Sequence, residues 1–193
     1  MELPYKIILA SNSPRRRELL AGLGLDFSVR VIDGIDESWP HTLKGEDIPL
    51  FISREKAAPY KSQISSDELV ITADTIVYVD GQVLGKPRDK ADAQRMLRLI
   101  SGRWHEVITG VTLMTDSKEH SFAVTTKVKF GSLADDEINR YVESGMPMDK
   151  AGAYGIQEWI GYVGVEAIEG SYFNVVGLPV QRLYRELLNF CKQ

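Results

Sequence analysis

The stretch LVITADTIVYVDGQVLGKP, residues 69–87, decides the fold class. Residues 69–79 are dominated by β-branched and aromatic side chains, which predicts one long strand. Asp80-Gly81 is a two-residue hairpin signal, and QVLGKP after it predicts a short returning strand. A hairpin leaving a long apolar strand argues for a mixed sheet, not a purely parallel one. Asp74 interrupts the apolar run. A carboxylate buried there without a partner is costly, so Asp74 calls for a metal, a cation or a capped amide. A functional aspartate and a structural one at a bulge or strand end are both open on this pattern.

Outward from that strand, helices and strands alternate. Residues 6–10, KIILA, read as a buried strand, and SNSP as the turn after it. A helix follows from Pro14 towards Leu23, with Leu19, Leu20 and Leu23 as its apolar stripe. Ser13 suits its N-cap, Pro14 its first position, and Gly22 and Gly24 its stop. Residues 27–32 alternate as a strand, and 33–42 form a polar loop. Residues 46–64 are helical in pattern, with Pro49 marking a start and Pro59 a break. On the other side, residues 89–100 carry helical periodicity through Ala93, Met96, Leu97 and Ile100. Residues 105–114 and 121–130 read as long strands, 134–144 as a helix, 162–168 and 172–176 as short strands, and 178–190 as a closing helix. Interleaved elements of this kind give an α/β class with a mixed sheet.

Composition narrows the function. At 193 residues the chain fits a single domain or one compact two-lobed unit spanning 1–193, with no linker or repeat. A balance of 23 basic against 27 acidic residues excludes a protein whose main task is coating nucleic acid, yet allows a few local cations to hold a phosphate ligand. The single cysteine, Cys191, rules out a disulfide within the chain, favours a reducing compartment, and has no histidine nearby to make it a catalytic thiol. The first apolar run is far shorter than the ~7–15 residues of a signal sequence, and no stretch reaches the ~20 residues of a membrane helix. A cytoplasmic location with no membrane partner is the expectation.

Several segments could carry chemistry. SNSPRRRE opens a helix directly after a strand, where free N–H groups and the helix dipole favour an anion. Arg15, Arg16 and Arg17 lie in that first turn, where cations oppose the dipole unless something such as a phosphate offsets them. A solvated turn capped by Ser13 is the alternative. Lys86, held by Pro87 after the hairpin, suits a phosphate as a point charge, though a plain surface turn is the more common explanation of a lone Lys-Pro. Asp33, Asp36 and Glu37 cluster on a loop, and with Asp74 could hold a hard cation such as Mg²⁺, although an acidic loop taken alone is more often just solvated. In DKAGAYGIQ, Gly152 and Gly155 indicate a sharp turn or a close backbone approach, and Gln157 has the donors and acceptors to read a base edge. A glycine-rich connection is the other reading. His41, His105 and His120 show no metal-ligand spacing and are read as structural. There is no P-loop, GxGxxG motif or nucleophile elbow.

The ordered set LASNSPRRRELL, SREKA, ITADTIVYVDGQVLGKP, SGRWHEVITGV, YVESGMPMDKAGAYGIQ and GSYFNVVGLPV resembles the Maf family of nucleotide pyrophosphatases over nearly the whole chain. The resemblance implies an α/β fold of two lobes around a deep cleft, related to the inosine triphosphatases, and a homodimer. It implies Mg²⁺- or Mn²⁺-dependent hydrolysis between the α and β phosphates of a nucleoside triphosphate. Its catalytic aspartate falls on Asp74, and its second acidic residue, with Asp74 a metal ligand, on Glu37. Phosphate handling falls on Ser11 and Ser13 of the SNSPRR turn and on Arg15, Arg16, Lys56 and Lys86. Arg15, Thr75 and Gln157 match the branch that resembles dTTP/UTP pyrophosphatases, with modified pyrimidine nucleotides as further substrates. A 7-methyl-GTP pyrophosphatase, and a non-catalytic nucleotide-binding regulator of cell division, are the alternatives. The chain departs from many relatives at Glu158-Trp159, where they carry glycine after the glutamine.

Overall fold

The structure is a computed structural model that describes residues 3–192. Its elements run β1 (Lys6–Leu9), α1 (Pro14–Ala21), β2 (Phe27–Val29), α2 (Asp47–Ala57) with a 3-10 turn (Ala58–Ser62), β3 (Glu68–Val79), β4 (Gln82–Leu84) and α3 (Lys90–Ile100). They continue with β5 (Trp104–Met114), β6 (Glu119–Phe130), α4 (Asp135–Glu143), two 3-10 turns (Met146–Asp149 and Ala151–Ala153), α5 (Trp159–Gly164), β7 (Val165–Glu169), α6 (Tyr172–Val176) and α7 (Val180–Phe190). One seven-stranded sheet has the order β2-β1-β3-β5-β6-β7, with β4 paired to β3. β1 is parallel to β2 and β3, whereas β4 runs antiparallel to β3 and β7 to β6, so the sheet is mixed. The Asp80-Gly81 turn closes the hairpin as its sequence dictates, with Asp80 at φ 49 and Gly81 at φ 78.

Contacts gather into two compact units. The first comprises Met1–Asp74, Thr109–Val124 and Gly177–Gln193. Strand alternation builds its layers. Ile7 and Leu9, Leu69 and Ile71, and Val111 and Leu113 face Leu20 of α1 and Leu183, Leu187 and Phe190 of α7 in one cluster. Ile8, Val70 and Met114 point the other way, onto Ala57 and Tyr60. Tyr60 is buried, but its hydroxyl donates to Arg30 O at 2.8 Å and accepts from Ile32 N–H at 3.0 Å. These bonds tie down the chain that leaves β2 and leads into the acidic loop.

The second unit comprises Thr75–Ile108 and Thr125–Val176. α3 and α4 bury Ala93, Leu97, Ile100, Ile138 and Tyr141, and join at their rims through Gln94–Asn139 and Lys90–Glu143. His105, Phe130 and Tyr154 form an aromatic cluster with ring centroids 4.9–5.5 Å apart.

Three sequence expectations are corrected. The strand expected over 27–32 closes at Val29. The segment 162–168 begins as helix α5 and becomes strand only from Val165. There, Gly161 lies so near the backbone of Ile156 that a Cβ would meet its oxygen at 2.0 Å. The strand expected over 172–176 is helix α6. Tyr, Phe and Val favour a strand by propensity, but Asn174 in that segment is fully buried. Its side-chain amide donates to Val107 O and Thr126 Oγ1, each at 3.0 Å, and its N–H reaches Ser171 Oγ at 3.3 Å. Serving the donors of the buried side-chain NH2 group outweighs a weak propensity.

Candidate active site

The residues that gather around Asp74 come from four segments of the first unit. The chain leaves β1 with Ala10 N–H still bonded to Ile71 O at 2.9 Å, which holds the SNSP turn beside β3. Ser13 has extended backbone (φ −65, ψ 117), and its hydroxyl accepts from Arg16 N–H at 3.4 Å. Ser11 is buried, and its hydroxyl accepts from Ser13 N–H at 3.2 Å. No acidic residue lies in the first turn of α1, so the dipole of that helix end meets arginines.

Arg16 turns inward from that first turn. Its Nε donates to Gly177 O and one terminal nitrogen to Ala73 O, both at 2.9 Å. It therefore fixes the backbone beside Asp74 as well as carrying charge. Burial lowers the Arg16 pKa, and the Asp74 carboxylate works the other way by stabilising the cation. The guanidinium remains charged at any ordinary pH.

Lys56 arrives from the last turn of α2, where a cation complements the helix dipole. The helix is clamped onto the sheet by small contacts. Thr72 Oγ1 donates to Ser53 O at 2.6 Å, and Ser53 Oγ lies 2.9 Å from Thr112 Oγ1. Gly110 lets the start of α2 come closer still, since a Cβ there would sit 2.3 Å from the carbonyl of Pro49. So held, Lys56 places its ammonium 2.7 Å from Asp74 Oδ1 and 3.1 Å from Glu37 Oε1.

The acidic loop separates its carboxylates by role. Asp36 accepts from the Ser38 N–H and hydroxyl, each at 2.8 Å, and these bonds hold its pKa below the usual carboxylate range. Glu37 instead reaches Lys56, and its side chain stays 59% exposed against 11% for Asp74. Two carboxylates thus address one point from opposite exposures.

Among the described residues, no group of three His, Cys, Asp or Glu side chains gathers to hold a metal ion. The donor set that does converge, Asp74 and Glu37, supplies carboxylate oxygens only. That chemistry fits Mg²⁺ or Mn²⁺, which take hard oxygen ligands from few protein groups and complete their shell with water and phosphate.

The structure brings Ser11, Ser13, Arg16, Glu37, Lys56 and Asp74 together in the first unit. Thr75 follows Asp74 along β3. Lys86 is exposed just beyond β4, and Gln157 is exposed in the turn before α5, both in the second unit. His105 is buried with its Nε2 2.7 Å from the Tyr154 hydroxyl, and burial lowers its pKa to about 4, as a core histidine requires. Residue reading missed the Tyr141–Lys150–Glu158 cluster behind Gln157. Its only sequence signal was a lysine and a glutamate flanking a glycine-rich segment.

The sequence profile of a family described as Maf-like protein matches residues 6–190. The chain belongs to the Maf family. Among relatives of this Maf chain, a dTTP/UTP pyrophosphatase of Bacteroides fragilis is 61% identical over 183 residues, covering 95% of both chains. One of Phocaeicola vulgatus is 60% identical with the same coverage. One of Flavobacterium psychrophilum is 46% identical over 95% of this chain and 94% of its own. Among solved structures, the Ham1 protein of Staphylococcus aureus superposes with a TM-score of 0.50 at 16% identity, covering 94% of this chain and 99% of that one. That likeness concerns the fold of this Maf protein alone.

Proposed function

We propose that this Maf protein hydrolyses dTTP and UTP to the nucleoside monophosphate and pyrophosphate. The observation that carries the reading is the Lys56 ammonium set between Asp74 and Glu37, beside the arginine-rich start of α1. The names and the 46–61% identity of the relatives support the substrate class.

Asp74 is the general base. Its carboxylate takes a proton from water as the water oxygen bonds to the α-phosphorus. The bond from that phosphorus to the bridging oxygen breaks, and the electron pair leaves with pyrophosphate. Lys56 and the arginines of the SNSPRR turn neutralise the charge that develops on the leaving group. Ser11 and Ser13 offer hydroxyls at the same turn. Asp74 and Glu37 would hold a divalent cation, Mg²⁺ or Mn²⁺, which would supply further neutralisation of phosphate charge. Lys86 is a further phosphate contact, and Arg15, Thr75 and Gln157 select the pyrimidine. A site built to bond a base edge rejects analogues that leave its polar groups unpaired. A homodimer accompanies this reading through the family resemblance, and a cytoplasmic location through the single cysteine, Cys191. No helix among the described residues is long and apolar enough to cross a membrane.

The test is pyrophosphate release from dTTP, UTP, CTP and 7-methyl-GTP with Mg²⁺ or Mn²⁺. Release from dTTP and UTP is expected. Release from 7-methyl-GTP alone would overturn the pyrimidine assignment and keep the chemistry. No release from folded, metal-supplied protein would overturn the enzyme.

A further inference from the structure

The turn that carries Gln157 is pinned at both ends by one phenol. Glu158 N–H donates to Gly155 O at 3.0 Å, closing a four-residue turn with Ile156 and Gln157 at its tip. Tyr141, on the buried face of α4, accepts at its hydroxyl from Gly155 N–H at 3.1 Å and donates from the same hydroxyl to Glu158 Oε2. The other oxygen of Glu158 meets Lys150 Nζ at 2.8 Å. Lys150 has three donors, and they serve Glu158, Asp149 Oδ1 at 2.6 Å and Met146 O at 2.6 Å.

Packing leaves this cluster little freedom. The side chains of Lys150 and Glu158 are only 10% and 16% exposed. A Cβ on Gly155 would lie 2.7 Å from Glu158 Cδ and 2.9 Å from Lys150 Cε, so glycine there lets the ion pair close against the backbone. Burial, with the bond to Glu158 behind it, raises the Tyr141 pKa, so the phenol stays a donor at working pH. One residue beyond, the Arg140 guanidinium lies 4.9 Å from the Trp159 ring and holds the start of α5 to α4. Of the two residues at the turn tip, Ile156 is buried and Gln157 is exposed.

We infer that Tyr141, Lys150 and Glu158 are positioning residues for nucleotide choice: they fix the backbone turn from which Gln157 meets the base. The inference rests on the proposed pyrimidine nucleoside triphosphate pyrophosphatase function. Glu158 then serves to lock the turn through Tyr141 and Lys150.

Tyr141→Phe keeps the ring in the core and deletes only the hydroxyl. It is expected to raise KM for UTP and dTTP about tenfold while kcat changes less than about twofold, the mark of lost binding without lost chemistry. It is also expected to narrow the preference for UTP over CTP as far as Gln157→Ala does. The double variant should be no worse than Gln157→Ala alone, because both changes remove one function. Glu158→Gln, which keeps shape and an acceptor, should give a milder shift in the same direction, and serves if Tyr141→Phe does not fold. Unchanged KM and selectivity in a folded variant would overturn the inference, as would fully additive effects with Gln157→Ala. A wild-type protein that hydrolyses no pyrimidine nucleotide would overturn the functional reading, and this inference with it.

Discussion

Lys56 Nζ lies 2.7 Å from Asp74 Oδ1, although the two residues are separated by a helix end, a 3-10 turn and the start of a strand. Both side chains are largely buried, at 15% and 11% exposed. The pair resolves the cost of an aspartate inside an apolar strand. It also commits one carboxylate oxygen, Oδ1, to the cation.

Asp74→Asn should therefore lower pyrophosphate release by about 10²–10⁴-fold, the range for loss of a general base. The amide has the same shape and can still accept from Lys56, so thermal unfolding should change little. A variant with near-normal kcat on dTTP would remove Asp74 from the chemistry.

Lys56→Met and Glu37→Gln should differ in stability, although both break the same cluster. Removing Lys56 strands a buried carboxylate beside which only arginine charge remains, and should cost about 1–3 kcal/mol. Glu37 is 59% exposed, and an exposed pair contributes roughly 0–1 kcal/mol, so its loss should scarcely move the denaturation midpoint. Both variants should lose activity. Equal destabilisation by the two in urea titrations would contradict this division of roles.

Much of the scaffold can be read from local chemistry, because β3 is long and apolar, Asp80-Gly81 fits only a tight reversal, and Ser13-Pro14 starts a helix unambiguously. What sequence cannot supply is contact across distance. Nothing local says that Lys56, not Arg54 or Lys61, turns towards Asp74. That follows from Ser53 and Gly110 clamping α2 to the sheet. Arg16 looks like a free cation in sequence, yet it spends two donors on the carbonyls of Ala73 and Gly177. Residues 172–176 look like a strand locally but fold as helix α6, because Asn174 finds its partners on Val107 and Thr126, far away in sequence. Lys56 came into view through family resemblance, Glu37 as one of three carboxylates on an acidic loop, and Asp74 through its own cost of burial.

Gly110→Ala probes the clamp on α2. Backbone atoms of Pro49 and Leu50 would lie 2.3–2.5 Å from the new Cβ, and no rotamer can relieve a clash with main chain. Overpacking of this kind costs typically about 1–3 kcal/mol, and it would also push α2 away from β5. Since α2 carries Lys56, activity should fall further than stability at a temperature where the variant is still folded. A drop in thermal midpoint with kcat intact would mean that α2 tolerates the shift.

His105 should make stability depend on pH in a defined window. Burial lowers its pKa to about 4, from 6.5 for an exposed imidazole, so the folded state keeps it neutral while the unfolded chain takes up a proton. The unfolded state then binds more protons between those values, and stability rises with pH across them. The contribution is fully present above about 6.5 and is lost as pH falls towards 4, at up to about 1.4 kcal/mol per pH unit, or roughly 3 kcal/mol in all. His105→Gln keeps a polar partner for the Tyr154 hydroxyl, 2.7 Å from the native ring nitrogen, and has no proton to take up. Urea titrations of both proteins between pH 4.5 and 7 separate this group from the carboxylates, which titrate in each. The wild type should lose stability more steeply than the variant as pH falls. Parallel curves would mean that His105 is reached by water and protonates in the folded state.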